Sequence, residues 1–210
     1  MNQPNRYSHN SPSRLKLIEP EIVNLPKEGV VAEFGCASGE TLNELCSIRK
    51  DVRAIGFDLA LSKGLKFEAY QCDMNDFNFE GYKHILENVD IFLMLDVLEH
   101  LNNPWRFLEE CILHSKTGAS IIITCPNFRS LRLLKAYLKG EMPLDEFGFF
   151  DKTHLRWLTP ESLTKGIEST NYYHNFRYLK SGKLTFKIIQ SIWPSRLCSQ
   201  FLLTLKIDKH

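Results

Sequence analysis

The stretch Glu33-Phe34-Gly35-Cys36-Ala37-Ser38-Gly39-Glu40 joins a carboxylate to a glycine turn and the start of an amphipathic run. The apolar Val30-Val31-Ala32 precedes it, so the segment predicts a buried strand ending on an acid, a tight turn and a helix N-terminus. Glycines at the carboxyl end of a strand let backbone come close to a small ligand of nucleotide type. The spacing narrows the ligand further. A dinucleotide fingerprint is G-x-G-x-x-G, because a pyrophosphate must sit against bare amides at the helix N-terminus. Counting from Gly35 puts Ala37 at the second glycine and Glu40 at the third, and a carboxylate there repels phosphate. The pattern present is acid-x-Gly-x-x-x-Gly, which favours a cationic ligand. Asp58 and Asp73 stand at the ends of later apolar runs; read alone, such acids are also helix caps or turn formers. His100 and His154 supply side chains that titrate near neutral pH and can accept a proton.

S-adenosylmethionine carries an ammonium, a sulfonium and no phosphate, so an acid at the strand end is an asset for it. On these residues the sequence resembles the class I S-adenosylmethionine-dependent methyltransferases, whose first motif is acid-x-Gly-x-Gly-x-Gly; Ala37 stands at the middle glycine. Val52 to Asp58 resembles the second strand of that family with its ribose-binding acid. Gln71-Cys72-Asp73-Met74 resembles the adenine segment, in which Asp73 would accept from the exocyclic amine and Met74 would lie against the ring. Val89 to Leu101, with Asp96 and Leu98-Glu99-His100, resembles the fourth strand and its catalytic loop, and Ile121 to Asn127 the fifth strand and its exit. The resemblance covers about residues 29 to 170 and continues more weakly beyond. Its nearest flavour is the ubiquinone-pathway-like and glycan-cluster group of small-molecule methyltransferases.

The resemblance implies S-adenosyl-L-methionine as cofactor, held by Glu33, Gly35, Ala37, Gly39, Asp58, Asp73, Met74 and Asp96. It implies a small-molecule or glycan-like acceptor methylated on oxygen. Methyl transfer is an in-line displacement from a good leaving group, so the protein mainly aligns, desolvates and, where needed, removes a proton. His100 and His154 are the candidate catalytic bases, the second in an aromatic loop with Phe147, Phe149, Phe150 and Trp157 that would form the acceptor pocket. The expected site contains no metal. As an alternative, Asp96-x-x-Glu99-His100 with His154 resembles a set that holds a divalent ion in some ubiquinone-pathway and small-RNA 2′-O-methyltransferases. Two further readings stay open: another enzyme on the same cofactor fold, and a catalytically inactive binding partner that retains the fold.

Apolar runs of strand length alternate with helical patterns, which predicts an α/β protein, a Rossmann-like doubly wound sheet with helices on both faces. Strands are expected at 30–34, 53–57, 66–70, 90–95, 119–124, 172–179 and 199–207, the last antiparallel as the resemblance implies. Helices are expected at 14–24, 39–49, 103–115, 128–140, 160–169 and 184–192. The link from Leu59 to Gly64 is too short for a full crossover helix. Residues 1–28 are expected to form an N-terminal segment and helix covering the site, and 29–210 the catalytic domain.

The chain has 210 residues, 43% of them hydrophobic, enough for one domain with a sizeable core. A formal net charge of +1 offers no overall field for nucleic acid. Six cysteines without metal spacing and an N-terminus lacking an apolar signal core place the protein in the cytoplasm. No acid lies between Glu168 and Asp208, while Arg177, Lys180, Lys183, Lys187, Arg196 and Lys206 alternate with apolar residues including Leu184, Phe186, Ile188 and Ile189. This region reads as a solvated helix edge, with a membrane-surface or lipid-linked acceptor contact as the alternative.

Overall fold

Strands covered on both faces are buried and predominantly apolar, and three segments fit this: β1 (Val30–Phe34), apolar but for Glu33, and the later Ile91–Leu95 and Ser120–Pro126. The computed structural model describes residues 14–168, 171–180, 187 and 190–209. In chain order the remaining strands are β2 (Arg53–Asp58) and β3 (Glu68–Gln71); the two apolar segments just named are β4 and β5; β6 (Tyr172–Leu179) and β7 (Gln200–Ile207) follow. They form one seven-stranded sheet in the order β3-β2-β1-β4-β5-β7-β6. β7 runs antiparallel to both β5 and β6, whereas the other pairings are parallel. This is the Rossmann-like arrangement expected, with the last strand reversed.

The chain builds outward from β1 through β2 to β3, then crosses back to lay β4 on the other side of β1. That reversal falls at the carboxyl ends of β1 and β4, the position where open α/β sheets bind ligands. Helices α1 (Arg14–Ile22), α2 (Glu40–Ile48), α3 (Phe79–Leu86), α4 (Pro104–His114), α5 (Leu131–Leu138), α6 (Pro160–Lys165) and α7 (Pro194–Leu197) complete the fold. Pro104 and Pro160 sit in first turns behind Asn103 and Thr159 caps, as their types suggest. Among the described residues no helix is long and apolar enough to cross a membrane.

Alternate residues of each strand feed two cores, one on each face. On one face Phe34 is the hub. Its ring stacks on Phe57 at 5.1 Å and Phe92 at 6.2 Å, and meets Phe77 and Phe107 edge-on at 5.2 and 5.0 Å. On the other face Ile18 of α1 and Leu42 and Leu45 of α2 pack on Val31, Leu93 and Leu202.

Several boundaries differ from the sequence reading. The third strand is Glu68–Gln71 and not 66–70, and β2 reaches it through turns; Gln71 Nε2 donates to Leu59 O at 3.0 Å to close that link. The helix expected at 128–140 is Leu131–Leu138, because Asn127 first makes a turn with Arg129 and Ser130, and Gly140 ends the helix at φ 71°. The helix expected at 160–169 stops at Lys165, where Gly166 lies against the Trp105 ring and leaves no room for a side chain. Helix α3, capped by Asn78, and the short α7 were not expected. Of the helix expected at 184–192, residues 184–186, 188 and 189 lie outside the described residues, as do 1–13 of the N-terminal segment and Lys183.

The aromatic hub predicts a steep stability cost. Phe34→Ala should lower the unfolding free energy by about 3–5 kcal/mol, read by urea denaturation. Tyr137→Ala, at a side chain outside both cores, should stay within about 0.5 kcal/mol.

Candidate functional site

The turn after β1 uses three residues in the left-handed region: Gly35 at φ 73°, Ala37 at 44° and Gly39 at 76°. The two glycines are demanded by space as well. A Cβ on Gly35 would lie 2.5 Å from Val97 Cγ2, and one on Gly39 would lie 2.4 Å from Leu65 Cδ2. Ala37 carries a Cβ at a positive φ, a strain of about 1–2 kcal/mol. Asp58 offsets it: its Oδ2 accepts from Ala37 N at 2.7 Å, while its Oδ1 accepts from Ala60 N at 2.9 Å. Each carboxylate oxygen keeps a second lone pair for a ligand hydroxyl.

Glu33 lies beneath this turn, 2% exposed. Its Oε2 has no hydrogen-bond partner, and burial pushes its carboxyl up to about 7, opposed by Arg14 and by a Thr41 hydrogen bond. Arg14, the first residue of α1, donates to Leu95 O at 2.9 Å and pairs with Asp96 Oδ2 at 3.2 Å. Asp96 also accepts from Thr124 Oγ1 at 3.1 Å and Gln200 Nε2 at 3.0 Å, with its backbone at φ 56°. The structure therefore brings Glu33, Gly35, Ala37, Gly39, Asp58 and Asp96 to one end of the sheet. Asp73, following β3, caps a short 3-10 turn by accepting from Asn75 N at 2.8 Å, and Met74 packs against the aromatic core.

The second cluster is built by two segments. A 3-10 turn over Leu98–His100 follows β4, and the loop containing His154 is fastened to it: Leu155 N and Arg156 N donate to Glu99 O at 2.8 and 3.0 Å. The His100 and His154 rings lie 4.8 Å apart. His100 Nδ1 is 3.1 Å from Thr153 O, and a carbonyl only accepts, so this bond assigns the proton to Nδ1 and basicity to Nε2. Thr153 Oγ1 in turn donates to Asp151 Oδ1 at 2.6 Å. Glu99 is fully buried, neither oxygen meets an N–H or O–H donor, only the weakly donating Cys125 thiol tempers its charge from the side-chain side, and its Oε1 is 3.9 Å from His154 Nε2. Burial first and the Asp96 charge second push the Glu99 carboxyl well above the usual range, while burial and then His100 push His154 down. One ligand atom each from Glu99, His100 and His154 lies within 4.8 Å of the others. Asp96 is not in that group, so three of the four residues named as an alternative metal set converge.

Phe128 stacks on Trp157 at 5.5 Å and meets Phe149 at 4.9 Å, which roofs the loop over His154. Arg14, Thr124 and Gln200 were missed from sequence. Arg14 has no motif around it, and Thr124 and Gln200 become neighbours only through the antiparallel register of β5 with β7. Elsewhere, a cavity of about 310 Å³ between α1 and α2, lined by Leu15, Ile22, Val23, Leu45, Ile48 and Arg49, shares none of these residues.

A family profile described as a methyltransferase domain matches residues 7–173. Solved structures of similar fold include an S-adenosylmethionine-dependent methyltransferase from Archaeoglobus fulgidus, at 21% identity and TM-score 0.62, covering 92% of this chain and 91% of that one. Another is an S-adenosylmethionine-dependent methyltransferase from Mesorhizobium loti, at 8% identity and TM-score 0.63, covering 93% and 98%. A third is the plantazolicin methyltransferase BpumL in complex with SAH, at 12% identity and TM-score 0.62, covering 94% and 83%. A search of curated proteins by sequence gave no match.

Glu33 gives the site a pH signature. The folded state holds its proton more tightly than the unfolded chain does, so its effect on stability is nil below the unfolded value near 4.5 and turns unfavourable as pH rises to about 7. The unfolding free energy of wild type minus that of Glu33→Gln should therefore fall across this window and level off above it, measured by urea denaturation at each pH. A difference that stays flat with pH would contradict the raised pKa.

Proposed function

The chain belongs to the methyltransferase domain family and has the class I S-adenosylmethionine-dependent fold, and from that premise we propose that it methylates an oxygen of a small-molecule or glycan-like acceptor. The observation that carries the cofactor half is the buried Glu33 carboxylate with an unpartnered oxygen beneath the left-handed turn. A zwitterionic methionine moiety suits it. Glu33 faces the ammonium and Arg14 the carboxylate, while Asp96, Thr124 and Gln200 hold the guanidinium side of the pocket in place. Asp58 accepts from the ribose hydroxyls, and Asp73 and Met74 border the adenine. Gly35, Ala37 and Gly39 admit the cofactor against the backbone. Residues 1–28 act with the catalytic domain, 29–210, because α1 delivers Arg14. Six free thiols suit a reducing cytoplasm.

The acceptor lies between the Leu98 to Asn103 segment and the Phe147 to Trp157 loop. His100, its Nδ1 proton held by Thr153 O, accepts the acceptor's hydroxyl proton at Nε2 as the carbon–sulfur bond breaks and the carbon–oxygen bond forms. The cofactor, when bound, would supply the methyl group and take the electron pair of the broken bond, giving a neutral thioether. His154 sits beside His100 and keeps its imidazole neutral, the form in which it too can take a proton.

A second reading is favoured by the Glu99 carboxylate, which is buried beside two imidazoles with no donor stronger than the Cys125 thiol. Such a donor set fits a divalent cation, since burying a carboxylate without compensation is costly. Glu99, His100 and His154 would hold it, with His100 a ligand and no longer the base. When bound it supplies positive charge that favours the ionised hydroxyl.

Calorimetric titration tests the cofactor half. S-adenosylhomocysteine should bind wild type and NAD should not, and Asp58→Ala and Arg14→Ala should each weaken binding by roughly tenfold or more. Binding of NAD in preference would overturn the class. With labelled cofactor, hydroxyl acceptors should be methylated in preference to amines, and His100→Ala should lower turnover by about 10²-fold or more. The metal reading expects magnesium, manganese or zinc to bind wild type and not Glu99→Gln, with activity lost in a chelator and restored by that ion. Full activity in the chelator would remove it.

A further inference from the structure

Helix α5 buries only Ala136 of its eight residues. Leu131, Leu134, Tyr137 and Leu138 all face solvent, the last two 76% and 74% exposed. Ile192 and Trp193 add to this surface at 80% and 55% exposure. The two segments are tied together where β5 ends: Arg196 Nη1 donates to Arg129 O at 3.4 Å, and Asn127 Nδ2 donates to Ser195 O and Cys198 O at 2.9 Å each. On the other flank, Arg132 lies 6.0 Å over the Phe149 ring of the acceptor loop. The Ile192–Arg196 segment is thus fastened just ahead of α5, and α5 in turn borders the loop that carries His154. Monomeric proteins rarely group exposed apolar side chains in this way without a partner.

The charges identify the partner. Arg132, Lys135 and Lys139 lie among the apolar positions of α5, and residues 127–140 contain no acid. Arg196, on the other segment, stacks over Trp193 at 5.8 Å. Acids come only after the helix, and of these Glu146 is neutralised by Lys152. Leucines with a cationic rim and Tyr or Trp at the margin are the composition of elements that lie in the headgroup layer of an anionic bilayer. No described helix is able to span one, so contact in the membrane plane is the geometry left. We propose that α5 and the Ile192–Arg196 segment seat the protein on an anionic phospholipid surface and present the His154 loop to an acceptor anchored there. The seating stands independently, while the nature of the acceptor rests on the methyl-transfer reading.

Flotation of the full chain with vesicles tests this. Vesicles of phosphatidylcholine mixed with phosphatidylglycerol should carry the protein upward, and phosphatidylcholine alone should not. Lys135→Glu with Lys139→Glu, and separately Leu134→Glu with Leu138→Glu, should each cut the bound fraction by roughly tenfold, and raised salt should act like the first pair. Thermal unfolding and S-adenosylhomocysteine binding of both double variants should match wild type, since these side chains touch neither core nor site. Absence of flotation, equal flotation with neutral vesicles, or flotation kept by the leucine variants overturns the proposal. So does light scattering that shows a dimer abolished by the same substitutions, because a second copy would then cover the face. Loss of cofactor binding with flotation intact would fault the methyl-transfer reading alone.

Discussion

The structure depends on a carboxylate that the fold buries at the end of its central strand. β1 is flanked by β2 and β4 and covered on both faces, so Glu33 has no route to bulk water, and only Thr41 and the nearby Arg14 temper the cost of its charge. Such a cost persists only where the surrounding structure over-determines the position. Here the aromatic hub around Phe34 fixes the strand one residue on, and the left-handed turn fixes the backbone beyond it. A cationic ligand is the natural complement, because it converts a destabilising buried acid into half of a pair.

The same logic is repeated at Glu99, with a different remedy. Its neighbours are two imidazoles, another acid and the weakly donating Cys125 thiol, so no strong donor meets it, whereas its backbone carbonyl receives two amides from the His154 loop. The residue is thus held firmly by its main chain while its side chain waits on its surroundings. Asp96, three residues earlier, has the opposite character: Arg14, Thr124 and Gln200 saturate its carboxylate, which makes it a strut between α1, β5 and β7. Alternating strained or unsatisfied acids with saturated ones separates the groups that await a ligand from those that shape the cavity.

Much of this was legible because local pattern and chemistry coincide. The runs Val30 to Phe34, Ile91 to Leu95 and Ile121 to Ile123 are apolar enough to name buried strands, and the acid-x-Gly-x-x-x-Gly spacing names the turn that follows the first. What escaped reading was long-range or context-dependent. Helix α3 contains three aromatic or polar residues in its first turn and gains its stability from packing on α4. Position 166 must be glycine because Trp105, far away in sequence, fills the space of a side chain there. Arg14 meets Asp96 only after the sheet has formed, and no spacing encodes that encounter. Topology placed His100 at the end of β4, and only the family resemblance brought His154 to it; the fastening of their loops through Glu99 O was not foreseen.

Arg177 on the outermost strand gives the architecture a property of another kind. Its guanidinium grips Glu21 Oε1 at 2.6 Å and Leu17 O at 2.6 Å, so the helix that delivers Arg14 is anchored at its far end by β6. The sheet's outer margin and the carboxyl end of its central strands are thereby joined through the two ends of one helix. A change on this peripheral strand would therefore be felt by α1 without altering any residue at the carboxyl end of β1.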